Sequence, residues 1–245
     1  MKIFRNIPGA VKVYSNLRYL NGFKREIDDA RAKGDQEREM ENICYAISTW
    51  GDKLSKSLGM DIKVYGKENL PEKGPVVFMS NHQGYADILA LCAAIDTVQF
   101  GFVAKKELAK IPLYGKWMDR IRSVMMDRDN PKESLKAITK GIGLLKKGYS
   151  LVIFPEGTRS KGGPMIDFKP GSMKLATKPK VPIIPVSIEG SYKIFEERGI
   201  ISPGTVKVMF HPAIPTDDLP KDSEKHLNDK VHDIIKSGVE ELRNQ

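Results

Sequence analysis

The spacing of apolar residues changes near residue 60. Before it, Met40, Ile43, Cys44, Ile47, Trp50, Leu54 and Leu58 recur mostly at steps of three and four, as one buried helix face requires. Ala10, Val13, Leu17, Leu20, Phe23 and Ile27 form a looser stripe that drifts around its helix. Asp35, just after Lys33-Gly34, separates the two patterns, so residues 1–60 are predicted to form an antiparallel two-helix hairpin. From residue 61 onward, short apolar runs alternate with helical periods. Strands are predicted over 62–65, 75–79, 98–103, 124–126, 151–154, 183–188 and 205–210, and helices over 88–95, 112–121, 131–147 and 222–242. The runs 151–154 and 183–188 are apolar almost throughout, as expected of strands covered on both faces. The pattern predicts an α/β fold over 61–245, with a mixed, largely parallel sheet flanked by helices and the hairpin in front of it.

Composition narrows the partners. A chain of 245 residues, 40% apolar and 29% charged, is an ordinary folded protein. Its net charge of +9 calls for an anionic partner, either nucleic acid or an acidic membrane surface. No nucleic-acid-binding motif is present. Between Met1 and Arg25 there are six basic residues and no acidic one. Two readings of the hairpin follow: a basic helix lying in a membrane interface, or a pair packed on the main domain with a solvated basic face. No stretch reaches the roughly 20 apolar residues of a spanning helix, since 88–104 is broken by Asp96 and Gln99. Met1-Lys2-Ile3-Phe4-Arg5 does not open an unbroken apolar signal core, so the chain is not expected to cross a membrane. Cys44 and Cys92, isolated in apolar runs, make neither a disulfide framework nor a zinc site, which suits a reducing cytoplasm.

Two polar stretches follow apolar strands directly. In Ser80-Asn81-His82-Gln83-Gly84-Tyr85-Ala86-Asp87-Ile88, the histidine falls just past a strand end, where open α/β sheets place ligands. An imidazole can remove a proton from a hydroxyl near neutral pH, and Asp87, at the following helix start, can fold back onto the ring. Taken alone, the spacing is equally met by a helix cap beside a structural histidine. The second stretch is Phe154-Pro155-Glu156-Gly157-Thr158-Arg159-Ser160. Gly157 lets backbone approach a ligand, Thr158 and Ser160 can donate to phosphate oxygens, and Arg159 offers a bidentate fork. A polar turn with a surface arginine would have the same composition. His211, His226 and His232 show no metal-ligand spacing and are expected at the surface. The phosphate loop, the His-Glu-x-x-His helix and the Gly-x-Ser-x-Gly nucleophile elbow are all missing.

Together these blocks resemble the glycerolipid acyltransferases, most closely the bacterial 1-acyl-sn-glycerol-3-phosphate type. Asn81-His82 with Asp87 comes first, and Phe154 to Arg159 follows about seventy residues later. Val124-Met125-Met126-Asp127-Arg128 resembles the family's second block and Val181-Pro182-Ile183-Ile184-Pro185-Val186 its fourth. The resemblance covers roughly residues 60–210. It implies that His82 is the general base with Asp87 as its partner. Arg128, Glu156, Gly157, Thr158, Arg159 and Lys105 then belong to the acceptor-phosphate site. It further implies lysophosphatidic acid as acceptor, an acyl donor carried by coenzyme A or acyl carrier protein, no cofactor or metal, and a place on the cytoplasmic face of an anionic membrane. Glycerol 3-phosphate or another lysophospholipid is the alternative acceptor, and a non-catalytic membrane-binding protein the alternative class. Two positions depart from the family pattern: Ser123 replaces a usual glycine, and Gly84 stands where serine is common.

Overall fold

The computed structural model describes residues 2–219 and 224–245. The amino-terminal region forms three helices: α1 (Lys2–Leu20), α2 (Lys24–Ala32) and α3 (Gln36–Ser57). The predicted break holds: Gly34 takes a left-handed turn (φ 71°) and Asp35 caps α3 by accepting from the Arg38 N–H at 3.1 Å. The expected two-helix hairpin is corrected to three helices, because a 3-10 turn at Asn21–Phe23 divides the first pattern. That turn lets Leu17, Leu20 and Ile27 all reach the core although their stripe drifts.

These helices do not enclose a separate core. Leu17, Leu20, Ile43, Ile47 and Trp50 share one apolar cluster with Phe78 and Phe100 of the sheet. Charge also ties the two parts together. Buried Glu39 accepts from Arg122 Nε at 2.8 Å, Arg31 Nε at 2.8 Å and the Tyr149 hydroxyl at 3.0 Å. Burial alone would raise the pKa of Glu39, but the Arg122 and Arg31 hydrogen bonds outweigh it and hold the carboxyl below its usual range. A bidentate Arg120–Asp28 pair, at 2.8 and 3.0 Å, adds a second tie.

The sheet has seven strands: β1 (Met60–Tyr65), β2 (Val77–Ser80), β3 (Phe100–Lys105), β4 (Val124–Met126), β5 (Ser150–Ile153), β6 (Ile183–Glu189) and β7 (Gly204–Phe210). Their spatial order is β1-β7-β6-β2-β5-β3-β4, parallel except for the antiparallel β6–β7 pair. The central strands β2, β5 and β6 are buried at every position, which explains their unalternating apolar sequence. Successive side chains still separate by face: Phe78, Val152 and Ile184 pack towards α3 and α4 (Ala86–Ala94), while Val77, Leu151 and Ile183 belong to the opposite core. The remaining helices are α5 (Tyr114–Arg120), α6 (Pro131–Lys146), the short α7 (Lys174–Thr177) and α8 (Glu224–Asn244). The predicted start of the last helix at 222 lies outside the described residues. Prediction placed β3 at 98–103, but it runs two residues later. Gln99 stays out of the strand because its side chain donates to the Ile121 carbonyl at 3.2 Å and accepts from the Ser150 N–H at 3.2 Å.

Candidate active site

Strand β2 lies between β6 and β5, and the loops beyond the carboxyl ends of β2 and β5 meet there. The first loop is held by side chains that imitate a strand. Asn81 extends the β2–β6 pairing: its Nδ2 donates to the Ile188 carbonyl and its Oδ1 accepts from the Ile188 N–H, both at 2.8 Å. Gln83 repeats the device, its Oε1 accepting from the Gly190 N–H at 2.9 Å and its Nε2 donating to Glu189 at 2.7 Å. Between these two anchors stands His82. Its ring stacks on Phe154 at 4.1 Å, and its side chain keeps 13% exposure.

His82 Nδ1 donates to Asp87 Oδ2 at 2.6 Å. The same carboxylate oxygen accepts the Gln83 and Gly84 N–H groups at 2.8 and 2.9 Å, and Oδ1 accepts the Ser191 hydroxyl. Asp87 is fully buried in the first turn of α4. Facing only donors, it fixes the tautomer with hydrogen on Nδ1 and leaves the Nε2 lone pair free to take a proton. No group among the described residues bonds to Nε2.

The second loop is zipped onto the first. The Ser160 N–H donates to the His82 carbonyl at 2.8 Å and the Lys161 N–H to the Gln83 carbonyl at 3.1 Å. Glu156 completes the join, accepting from the His82 N–H at 2.6 Å and the Ile166 N–H at 2.9 Å. It is 1% exposed, and burial pushes its carboxyl up to about 7 against the pull of the two amides. Its grouping with the phosphate ligands is therefore corrected. A buried carboxyl whose two oxygens both face backbone amides is a brace between the loops.

The basic residues lie around this join. Gly157 adopts φ 73°, a left-handed conformation that favours glycine, and its carbonyl accepts from Arg128 Nη1. Arg128 is partly buried and has no carboxylate within salt-bridge distance among the described residues; burial lowers its pKa. Arg159 lies over the Tyr85 ring at 3.7 Å and donates to Glu196 at 2.8 Å. Thr158 is exposed. Lys105, also exposed, ends β3 opposite Met126 and lies 3.8 Å from Glu107. Among the described residues it has no hydrogen bond or ion pair to another candidate residue. Ser123, the first departure from the expected pattern, accepts from the Phe102 N–H at 2.9 Å and so joins β3 to the segment before Arg128.

Sequence reasoning missed Ser191, Glu196 and Tyr85. The first two lie more than 100 residues from the His82 loop, and only the return of the chain through β6 brings them there. The expectation for His211 is also corrected: it is half-buried beside α8, its Nε2 2.8 Å from Ser187 Oγ.

A histidine–carboxylate pair and a basic loop thus lie together at the end of a mostly parallel sheet. The family model for acyltransferases matches residues 61–189, and the chain belongs to that family. Among individual relatives, a 1-acyl-sn-glycerol-3-phosphate acyltransferase of Borreliella burgdorferi is 30% identical over 205 residues, covering 83% of this chain and 79% of that protein. The chloroplastic enzyme LPAT1 of Arabidopsis thaliana is 36% identical over 156 residues, covering 62% of this chain. The chain matches only 43% of the length of that plant protein and 62% of a yeast counterpart. The crystal structure of the 1-acyl-sn-glycerophosphate acyltransferase PlsC from Thermotoga maritima superposes with a TM-score of 0.84 at 28% identity, over 100% of this chain and 99% of that one.

Proposed function

We propose that this chain transfers a fatty acyl group from a thioester to the free hydroxyl of lysophosphatidic acid, yielding phosphatidic acid. The observation that carries this reading is the His82–Asp87 pair, with its free Nε2 beside a basic loop. His82 Nε2 takes the acceptor's hydroxyl proton as that oxygen attacks the thioester carbonyl. The new C–O bond forms, the C–S bond breaks, and the proton passes to the departing thiolate. Asp87 supports the transient imidazolium. Arg128, Arg159, Thr158 and Lys105 receive the phosphate and so orient the hydroxyl, while the Gly157 backbone, its N–H on the Phe154 carbonyl and its own carbonyl on Arg128, shapes the loop behind them. Glu156 acts behind them, keeping the loop registered on His82. Neither cysteine suits a covalent relay: Cys92 is buried, and burial pushes the Cys44 thiol up to about 11.

The same reading places the protein on the cytoplasmic face of the membrane, bound peripherally. No helix among the described residues is long and apolar enough to cross a bilayer. On α1, Ile7, Val11 and Tyr14 form an exposed stripe at i, i+4 and i+7, suited to shallow insertion. Flotation with liposomes should need anionic lipid, weaken in salt, and fall when Val11 and Tyr14 are changed to Asp; unchanged flotation would leave α1 a packing element only. The activity itself is tested with acyl-coenzyme A and acyl carrier protein donors against lysophosphatidic acid and glycerol 3-phosphate. Phosphatidic acid from the first acceptor is expected, whereas preferential acylation of glycerol 3-phosphate would reassign the substrate.

A further inference from the structure

Glu196 lies outside every block that marks the family in the sequence, on the segment that follows β6 and the 3-10 turn Ser191–Ile194. Its side chain is only 3% exposed. One oxygen, Oε1, accepts both the Tyr85 N–H at 2.9 Å and Arg159 Nη1 at 2.8 Å. The other, Oε2, is buried without a partner. Arg159 is thereby fixed from two sides, its guanidinium over the Tyr85 ring and one nitrogen on Glu196. Among the described residues its remaining nitrogens have no hydrogen-bond acceptor.

Gly84 supplies an independent observation. A Cβ at that position would lie 2.5 Å from Glu196 Oε2 and 2.9 Å from its carboxyl carbon. The backbone there is not left-handed, so conformation does not demand glycine; a side chain there would instead require the Glu196 carboxylate to move. The departure from the serine common at this place therefore has a physical reason: the Glu196 carboxylate occupies the volume a side chain would fill.

We propose that Glu196 is a positioning residue for acceptor recognition, holding Arg159 in the pose that meets the acceptor phosphate, with Gly84 as the gap that admits it. The inference rests on the reading of Arg159 as a phosphate ligand. Two effects of Glu196 oppose each other. Its charge weakens the field that a phosphate meets, while its geometry removes the cost of ordering a long side chain at binding. Positioning dominates, because the carboxylate is buried and joined to backbone as well as to Arg159.

The test separates acceptor from donor kinetics in the full chain. Glu196→Ala should raise the KM for lysophosphatidic acid roughly tenfold, the size of one hydrogen bond to a charged group, and leave the donor KM and kcat little changed. Glu196→Gln keeps an amide oxygen for Tyr85 and Arg159 while removing the charge, so its acceptor KM should equal or fall below that of the parent. In an Arg159→Ala background, Glu196→Ala should add nothing. Should Glu196→Ala fail to fold, Gly84→Ala serves instead, since its methyl group displaces Oε2 and should produce the same acceptor-selective rise. An unchanged or lowered acceptor KM in Glu196→Ala, or in Gly84→Ala where that is the variant used, overturns the proposal if Arg159→Ala raises it. A rise in acceptor KM in Glu196→Gln equal to that in Glu196→Ala does the same. If Arg159→Ala itself leaves the acceptor KM unchanged, the phosphate reading fails first and this inference falls with it.

Discussion

The two sides of the candidate site are built to different standards. Around His82, backbone and side chain are both pinned: Asn81 and Gln83 lock onto β6, Glu156 and Ser160 lock onto the loop, and Asp87 meets four donors. On the basic side, Arg128 and Arg159 have few partners, and Thr158 and Lys105 are exposed. The difference matches the demands of the proposed chemistry. A base must be held within a few tenths of an ångström of its proton, whereas a phosphate is met by several donors, of which Arg159 alone is held from two sides. Damage on the first side should therefore appear in kcat, and damage on the second in the acceptor KM.

The largest effect is expected from removing the base. His82→Ala should lower kcat by about 10²- to 10⁴-fold without loss of fold as judged by circular dichroism, and Asp87→Asn should be severely impaired through loss of orientation. Ser191→Ala sharpens the same side from outside the motifs. Without the hydroxyl on Asp87 Oδ1, kcat should fall roughly tenfold with both KM values kept; a rise in KM instead would move Ser191 to the other side. On the basic side, Arg159→Lys keeps charge but loses the fork, so the acceptor KM should rise several-fold, roughly the lost share of a bidentate contact, while the donor KM stays. Equal changes in both would erase the contrast.

The smallest effect concerns the brace between the two sides. Glu156→Gln leaves one backbone N–H facing an amide nitrogen, a cost on the order of 1–3 kcal/mol. The pH dependence adds a signature. Because burial raises this carboxyl from 4.5 to about 7 in the folded chain, the native state retains a proton that the unfolded state has released. Stability from this group is thus fully present below pH 4.5 and is lost as pH rises towards 7. The Gln variant lacks that slope, so the gap in Tm between parent and variant should narrow over this range. A gap independent of pH would show that Glu156 does not titrate there.

Much of this contrast could be read in the sequence, and for identifiable reasons. The β2 and β5 strands announce themselves as apolar runs because both faces are covered, and each runs directly into its polar loop. His82, Asp87 and the loop carrying Arg159 lie within those local signals. Ser191 and Glu196 do not, since their partners are set by sheet order, and nothing near them in the chain encodes that β6 lies beside β2. The antiparallel turn into β7 is equally silent in an alternating run. In the sequence Glu156 stands among the phosphate-ligand candidates, yet its side chain turns inward to two amides. The division of the first helical stripe into α1 and α2 follows from packing: a drifting stripe can keep one face buried only if the helix is interrupted.

In the proposed reaction His82 activates the acceptor hydroxyl for direct attack on the thioester. The most direct measurement is free-thiol release from the acyl donor, followed with and without lysophosphatidic acid, alongside intact-mass spectrometry of the protein. Release is expected only when acceptor is present, with one phosphatidic acid per thiol, no acyl adduct at any time, and turnover in His82→Ala lowered by about 10²- to 10⁴-fold. A stoichiometric adduct formed with donor alone and discharged by acceptor, or acceptor-dependent thiol release at a near-parental rate in His82→Ala, would overturn direct attack activated by His82.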